Sequence, residues 1–524
     1  MSTESHSAQE EAQGLAPQNP WATWVLAGFM AITLRLAMLP VLPIPVPVCH
    51  DEFSYLLGSD TFASGRVTNP AHPMWVHFET FHVNQQPTYC SKYPPAQALF
   101  LAAGQAFFGH PWFGVCLSMG LMFAALCWML LAWVEPVPAL LTSVLCLLGW
   151  AFTGTWINSY WGGAVAAAGG ALLVGAIPRI ITAPGAASVL SAAFGVVLLA
   201  NSRPYEGLLT VIAAGLVFAW RWRSKGIPSA SVLVRTALPF LAILLPAFAA
   251  MGYYNYRTTK NPVLMPYVVN QRTYTASPFF YVLPPVPAPA YRHEVIRKYW
   301  VDWVVPFYLK ARADPRVAIT KSAKIMWRFY FLTPILPALL IGLLFGARRD
   351  VGAALAIAAG PVLGLLPAES ALPHYLAPAF GAFVLIVGLG MQALWRWQYK
   401  NVRAGAVLSV AVLWISLGFC AHQIVVEMFL MKHTDAPIAT KPLLTEQLQK
   451  QPGMHLVIVR YGANHKIDHE WVYNRADIDA SRIVWAQDMG AAKNQELLDY
   501  YRDRKFWLLQ PDIDPLAIVP YTEP

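Results

Sequence analysis

Apolar residues recur along this chain in runs of roughly sixteen to twenty-five, and a helix needs about 20 apolar residues to cross a hydrocarbon core of about 30 Å. Lipid offers the backbone no hydrogen-bonding partner, so each run must satisfy its own N–H and C=O groups and reads as a membrane-spanning helix. Of 524 residues, 56% are hydrophobic and 12% charged, against about 25% charged in a typical globular protein. That excludes an ordinary soluble enzyme. The 20 Trp and 22 Tyr suit aromatic belts at two interfaces. The net charge of +9 does not call for a nucleic acid, because Lys and Arg collect in short loops between the apolar runs, where they set membrane orientation.

The sequence predicts an α-helical polytopic membrane protein with spans over 21–42, 112–134, 137–155, 161–178, 186–201, 205–222, 236–254, 328–346, 351–367, 375–395 and 404–424, eleven in all. Residues 1–20 are polar and read as a disordered cytoplasmic tail without the charged leader of a cleaved signal peptide. Residues 94–109, opened by Pro94 and Pro95, read as an interfacial helix. With a cytoplasmic N-terminus, the cytoplasmic loops hold Arg179, then Arg221, Arg223, Lys225 and Arg235, then Arg348 and Arg349, then Arg396, Lys400 and Arg403, whereas the short loops opposite hold almost only Arg203. This is the positive-inside pattern. It places the loops 43–111 and 255–327 outside, together with residues 425–524, which follow a membrane domain at 21–424. In that last segment Leu456–Val459, Ile483–Trp485 and Phe506–Leu509 read as strands and Asn494–Arg504 as an amphipathic helix, a small soluble α/β domain.

Charged residues gather on one face of this plan. His50-Asp51-Glu52-Phe53-Ser54-Tyr55 follows the first span and opens a short helix to about Ser64, so two carboxylates sit at the surface, as acid groups of a site or as first-turn residues favoured by the helix dipole. Lys92 precedes Pro94-Pro95, poised for a phosphate or snorkelling to headgroups. Arg203, with Glu206 near, fits a structural ion pair or a bound phosphate. His374-Tyr375 lies at the outer end of the tenth span, where a lone His is ordinarily a packing residue. Arg35, within the first span, is expected to face protein or water. Arg272 is a weaker phosphate candidate in the second outer loop, whose remaining cations suit an interface or a lid. Asp477-Ile-Asp479 reads as a turn rather than a metal site. A carboxylate base beside cations suited to a phosphate leaving group is what moving a sugar from a lipid phosphate to a hydroxyl requires, and Lys and Arg can balance that charge without a metal.

This arrangement resembles the GT-C superfamily of integral-membrane glycosyltransferases, especially protein O-mannosyltransferases and the lipid A aminoarabinose transferase. The acidic pair matches Asp51-Glu52, and the Lys-Pro motif matches Lys92-Tyr-Pro-Pro95 with one extra residue between Lys and Pro. The resemblance implies a polyprenyl-phosphate sugar as donor and no cofactor. It further implies Asp51 as general base, Glu52 orienting it or the sugar, Lys92 and Arg203 on the lipid-linked phosphate, and His374 or Tyr375 touching phosphate or sugar, with inversion at the anomeric carbon. It covers 21 to about 255 best. Ser91 stands where the aminoarabinose type has an acid, and the C-terminal domain is not a general family feature.

Cys49 and Cys90 each lie two residues before a proposed site residue, so a disulfide between them would clamp base and phosphate ligand together. The rival functions are a transporter or lipid-linked-sugar flippase, which would place ionisable groups at the midplane in paired halves, and a membrane-anchored binding protein, for which eleven spans are far more than a tether needs. The expected partners are a lipid-linked sugar, membrane lipids and an acceptor that is lipid, glycan or protein, with no nucleic acid. The expected location is a bacterial inner membrane.

Overall fold

The computed structural model describes residues 20–224, 226, 229–331, 334–433, 440–513 and 516–522. The tail ahead of Pro20 and Lys225, counted above among the orienting cations, lie outside the described residues. Helices form on the apolar runs. After α1 (Pro20–Ala37) the first long loop carries α2 (His50–Ala63), a hairpin of β1 (Val83–Asn84) and β2 (Cys90–Ser91), and α3 (Pro95–Phe108). The bundle continues through α4 (Trp112–Trp133), α5 (Pro136–Trp150), α6 (Ala164–Thr182), α7 (Ala186–Ser202), α8 (Pro204–Arg223) and α9 (Ala230–Thr259). A second long connection holds α10 (Pro266–Tyr274), α11 (Glu294–Arg297), a π-helical stretch at Lys298–Val304, α12 (Val305–Ala313) and α13 (Pro315–Tyr330). Then come α14 (Leu336–Phe345), α15 (Arg348–Leu365), α16 (Phe380–Arg396) and α17 (Ala404–His433). Proline sits in the first turn of α5, α8, α10 and α13, where the missing N–H costs no hydrogen bond.

Among the described residues, five helices are long and apolar enough to cross a membrane: α4, α6, α9, Ala377–Arg396 and Ala404–Leu430. The 22 residues of α4 reach about 33 Å at about 1.5 Å per residue. Shorter apolar helices cover Trp21–Ala37, Pro136–Trp150, Ala186–Ser202 and Leu336–Phe345. The protein is an integral membrane protein. Some expected spans are shorter than the sequence suggested. The first ends at Ala37 rather than Leu42, ahead of a Pro-rich approach, that over 137–155 ends at Trp150, and that over 328–346 is broken, because α13 ends at Tyr330 and α14 begins only at Leu336. Pro334 and Pro337 account for the break, since proline removes an amide donor and disfavours helix in the residue before it.

The core lies where α4 packs against α1 and α6, with Trp112, Met122 and Leu130 wholly buried. Arg35 is also wholly buried, and it is structural: its guanidinium donates to Leu42 O (2.9 Å) and Asn158 Oδ1 (3.1 Å) and lies 4.7 Å over the Trp112 ring. Small residues seat the elements near the site. A Cβ on Gly104 would stand 2.1 Å from Gly114 N, so glycine is what lets α3 lie against α4. A Cβ on Gly170 would stand 1.9 Å from Pro378 O, so glycine also admits the turn that follows His374 and Tyr375.

Within residues 440–513 and 516–522 lies a separate sheet of order β4-β3-β5-β6, from β3 (Met454–Val459), β4 (Ile483–Gln487), β5 (Arg504–Leu509) and β6 (Ile518–Pro520). β3 runs parallel to both β4 and β5, and only β6 is antiparallel. α18 (Lys441–Lys450) precedes the sheet, and α19 (Ala491–Tyr500) carries the chain across from β4 to β5, the parallel strands on either side of β3. This unit docks on the first long loop. Asp60 of α2 accepts from Arg475 Nη2 (2.7 Å) and Ala476 N (2.8 Å), and Tyr89 donates to Asn474 O (3.0 Å). Asp477 accepts from Ala480 N within a turn, whereas Asp479 is engaged by His72, Tyr500 and Tyr501.

Candidate active site

The hairpin and α2 fix the centre of the site. β1 and β2 pair Val83 with Ser91 and Asn84 with Cys90, so the next facing pair is His82 and Lys92, and Lys92 N donates to His82 O (3.1 Å). Ser54 of α2 clamps the hairpin to the helix, its Oγ meeting His82 O (2.6 Å) and Ser91 Oγ (2.8 Å). Asp51, one turn earlier on α2, therefore lies beside both hairpin residues. Its carboxylate accepts from the Tyr93 hydroxyl and from Cys49 Sγ (3.3 Å), and His82 Nε2 stands 3.9 Å away. Burial alone would raise this carboxyl, but His82, Lys92 and the Tyr93 hydroxyl outweigh it and hold Asp51 below the usual carboxylate range. It is ionised at neutral pH and needs no further activation to accept a proton.

Glu52 does something else. Its Oε2 accepts from Val48 N (2.9 Å) and Cys49 N (3.0 Å), and its Oε1 accepts from Tyr160 N (3.1 Å). Both oxygens are thereby committed to backbone, closing a capping box at the start of α2 and tying it to the segment between α5 and α6. Burial pushes this group up to about 7 against those three amide bonds. Glu52 thus holds the start of the helix that presents Asp51.

Two cations meet beside Asp51. Lys92 is buried, its ammonium 2.8 Å from His82 Nδ1 and over the rings of Tyr93 (5.0 Å) and Tyr267 (5.2 Å). Burial lowers it to about 8, with Asp51 acting the other way and Arg203 adding repulsion. Arg203 sits between α7 and α8 with its guanidinium 4.8 Å over the Tyr375 ring. Among the described residues neither cation has a carboxylate within ion-pair distance. His374 is buried against Trp161 (5.4 Å) and Tyr375 (4.8 Å), and burial pushes it well below the ordinary imidazole value, with Arg203 lowering it further and Asp51 opposing. It is a neutral wall residue beside the cations.

The structure therefore brings Asp51, Lys92, Arg203, His374 and Tyr375 together from four separate stretches, and leaves Arg272 aside. Arg272 lies on the exposed side of α10 and forms no hydrogen bond or ion pair among the described residues, whereas Asn270, two residues earlier, bonds the hairpin at Asn84 (3.0 Å). The expected Cys49–Cys90 bridge is not formed: both thiols are free, Cys49 turned to Asp51 and Cys90 packed on β2 among Asn84, Thr88 and Thr68. Counting from neighbouring site residues misled here, because a helix cap and a strand aim their side chains differently. Sequence reasoning missed His82, Tyr93, Tyr267 and Tyr299. His82 owes its place to a hairpin register centred on Pro87, which the sequence does not announce, whereas Tyr299, whose ring meets His50 (5.5 Å) and His82 (6.2 Å), comes from a distant π-helical turn.

The order and packing of these elements define a membrane-protein fold already seen in a solved structure. Among solved structures the chain is similar to ArnT from Cupriavidus metallidurans bound to undecaprenyl phosphate, with a TM-score of 0.52 and 15% identity, covering 92% of this chain and 92% of that one. The apo state of the same ArnT aligns at 0.49 with 14% identity over 92% of each chain. The apo oligosaccharyltransferase of Archaeoglobus fulgidus aligns at 0.46 with 12% identity, over 84% of this chain and 62% of that one. The last two are too distant to carry an argument, and at 15% identity the first shows the fold and not the reaction. No protein-family model matches the chain, and no curated protein matches it in sequence.

Proposed function

We propose that this protein is a membrane glycosyltransferase that moves a sugar from a polyprenyl-phosphate donor to a hydroxyl of a lipid, glycan or protein on the extracytoplasmic face. One observation carries the reading. Two cations, the buried Lys92 and the half-buried Arg203, repel one another beside an ionised carboxylate, and among the described residues neither pairs to an acid, an arrangement that a bound phosphate would complete. That the ArnT of similar fold is bound to undecaprenyl phosphate supports the same ligand class. Asp51 removes the proton of the acceptor hydroxyl as its oxygen bonds the anomeric carbon from the face opposite the phosphate. The carbon–oxygen bond to phosphate breaks with its electron pair left on the phosphate, where Lys92 and Arg203 balance the charge, and configuration inverts. No metal is needed for this balance. The surrounding plan is eleven spans within 21–424, a cytoplasmic tail at 1–20, and loops 43–111 and 255–327 outside with the α/β unit at 425–524, in a bacterial inner membrane.

Purified protein is given a panel of radiolabelled polyprenyl-phosphate sugars, and release and transfer are compared for wild type, Asp51→Asn and Lys92→Ala. Turnover with at least one donor, abolished by Asp51→Asn, supports the reading. Lipid-linked sugar moved across a vesicle membrane without release would replace it with a flippase.

A further inference from the structure

Base and phosphate ligands account for Asp51, Lys92 and Arg203, yet the residue that links the first two has no task. We propose that His82 is a positioning residue that keeps Lys92 and Asp51 from pairing with each other, so that the cation stays open to the donor phosphate and the carboxylate to the acceptor proton. This assignment rests on the glycosyl-transfer reading of the site.

The geometry sets the roles of the two ring nitrogens. An ammonium has only donors, so His82 Nδ1, 2.8 Å from Lys92 Nζ, must accept and Nε2 must carry the proton. One of the three Lys92 hydrogens is thereby held and two remain. Nε2 faces Asp51 Oδ1 at 3.9 Å, beyond hydrogen-bond length, so the ring takes none of the carboxylate lone pairs that Tyr93 and Cys49 leave open. Burial drives the ring well below its ordinary value, with Lys92 and His50 adding to that and Asp51 opposing, so it stands as a neutral spacer between opposite charges. The groups that face it are His50 and Asp51 from α2, Lys92 from the hairpin end, Tyr93 ahead of α3 (6.0 Å between rings) and Tyr299 from the π-helical stretch (6.2 Å). Without the ring, the buried Lys92 ammonium and the half-buried Asp51 carboxylate would close on each other.

The backbone points the same way. His82 has φ of 62°, a left-handed conformation that non-glycine residues seldom adopt, and Ser54 Oγ and Lys92 N both hold its carbonyl there.

The test uses the full-length protein in nanodiscs, with undecaprenyl phosphate as ligand and affinity measured from pH 6.5 to 10. His82→Leu removes the acceptor, and His82→Asn restores one while tolerating positive φ. We expect His82→Leu to weaken binding at least tenfold at pH 7 and to move the alkaline loss of affinity up by a pH unit or more, because Lys92 is then paired with Asp51. His82→Asn should stay within about threefold of wild type. Adding Asp51→Asn to His82→Leu should recover most of the affinity, since the competing carboxylate is gone. A merely structural role would give no shift of the profile and no recovery, and either result overturns the proposal. So does an Asn variant as weak as Leu, including where the Leu variant fails to fold. If wild type binds the phosphate with this profile but transfers no sugar, the transfer reading falls while the spacer role stands. If wild type does not bind it, both fall.

Discussion

The alkaline limit of donor binding follows from the burial of Lys92. Moving its ammonium from an ordinary value of 10.5 to about 8 corresponds to roughly 3 kcal/mol against the charged form, at about 1.4 kcal/mol per pH unit. Desolvation is the largest cause, and Arg203 adds to it. With a midpoint near 8, about nine-tenths of the free protein carries the charge at pH 7 and about one-tenth at pH 9. If the ammonium is what holds the phosphate, the Kd for undecaprenyl phosphate rises about tenfold between those two values and keeps rising toward the midpoint of the complex. The ligand barely affects the slope, because the second ionisation of a phosphate monoester has its midpoint near 6 and is about nine-tenths complete at pH 7. An ordinary exposed lysine would leave binding flat until about pH 10. Lys92→Arg, which cannot lose its proton, should flatten the curve, although the different shape of a guanidinium lowers affinity at pH 7. Tryptophan fluorescence titrations in nanodiscs suffice. A wild-type curve flat to pH 9.5, or the same limb in Lys92→Arg, refutes the assignment of Lys92 as phosphate ligand.

Three further outcomes follow from the geometry. Arg203→Lys gives up the planar group stacked on Tyr375 and should raise the donor KM about tenfold with a smaller change in kcat, measured by donor titration; an unchanged KM removes Arg203 from the phosphate site. Asp60→Ala should loosen the C-terminal unit by about 2 kcal/mol, most of it from the Ala476 N–H because the Arg475 side chain is largely exposed. Burial opposes ionisation of Asp60, but Arg475 and the Ala476 N–H outweigh it and hold its pKa below 3.8, so its contribution is full above that value and is lost as pH falls through the lower folded value. Hydrogen exchange across β3 to β5 reads both effects, and unchanged protection at pH 7 contradicts the docking contact. Finally, sugar transfer should survive EDTA at full rate, and its loss with recovery on adding a divalent cation would show that Lys92 and Arg203 do not balance the leaving group alone.

Much of this molecule was legible because lipid imposes a length on apolar runs, and α4, α6, α9 and α17 sit where those runs fall. Asp51, Lys92 and Arg203 were legible for a related reason: charge is scarce in this chain, so each exception marks a place. The part of Glu52 was harder to see, since a capping box is ordinarily announced by Ser or Thr and here Cys49 holds that position. His82 was invisible because its importance lies in a hairpin of two-residue strands and a positive φ, and a single loop histidine signals neither. Tyr299 arrives from more than two hundred residues away through a π-helical turn, which no hydrophobic period encodes. The break between α13 and α14 was written in Pro334 and Pro337, but the apolar run across it hid the interruption.

The most direct measurement of the central claim is sugar transfer from polyprenyl-phosphate donors by wild type and Asp51→Asn, with donor binding followed in the same samples. The account predicts that wild type turns over at least one donor with inversion, and that Asp51→Asn binds it comparably while losing at least a thousandfold in kcat, about 4 kcal/mol of transition-state stabilisation. An Asp51→Asn variant that transfers sugar at the wild-type rate would contradict it.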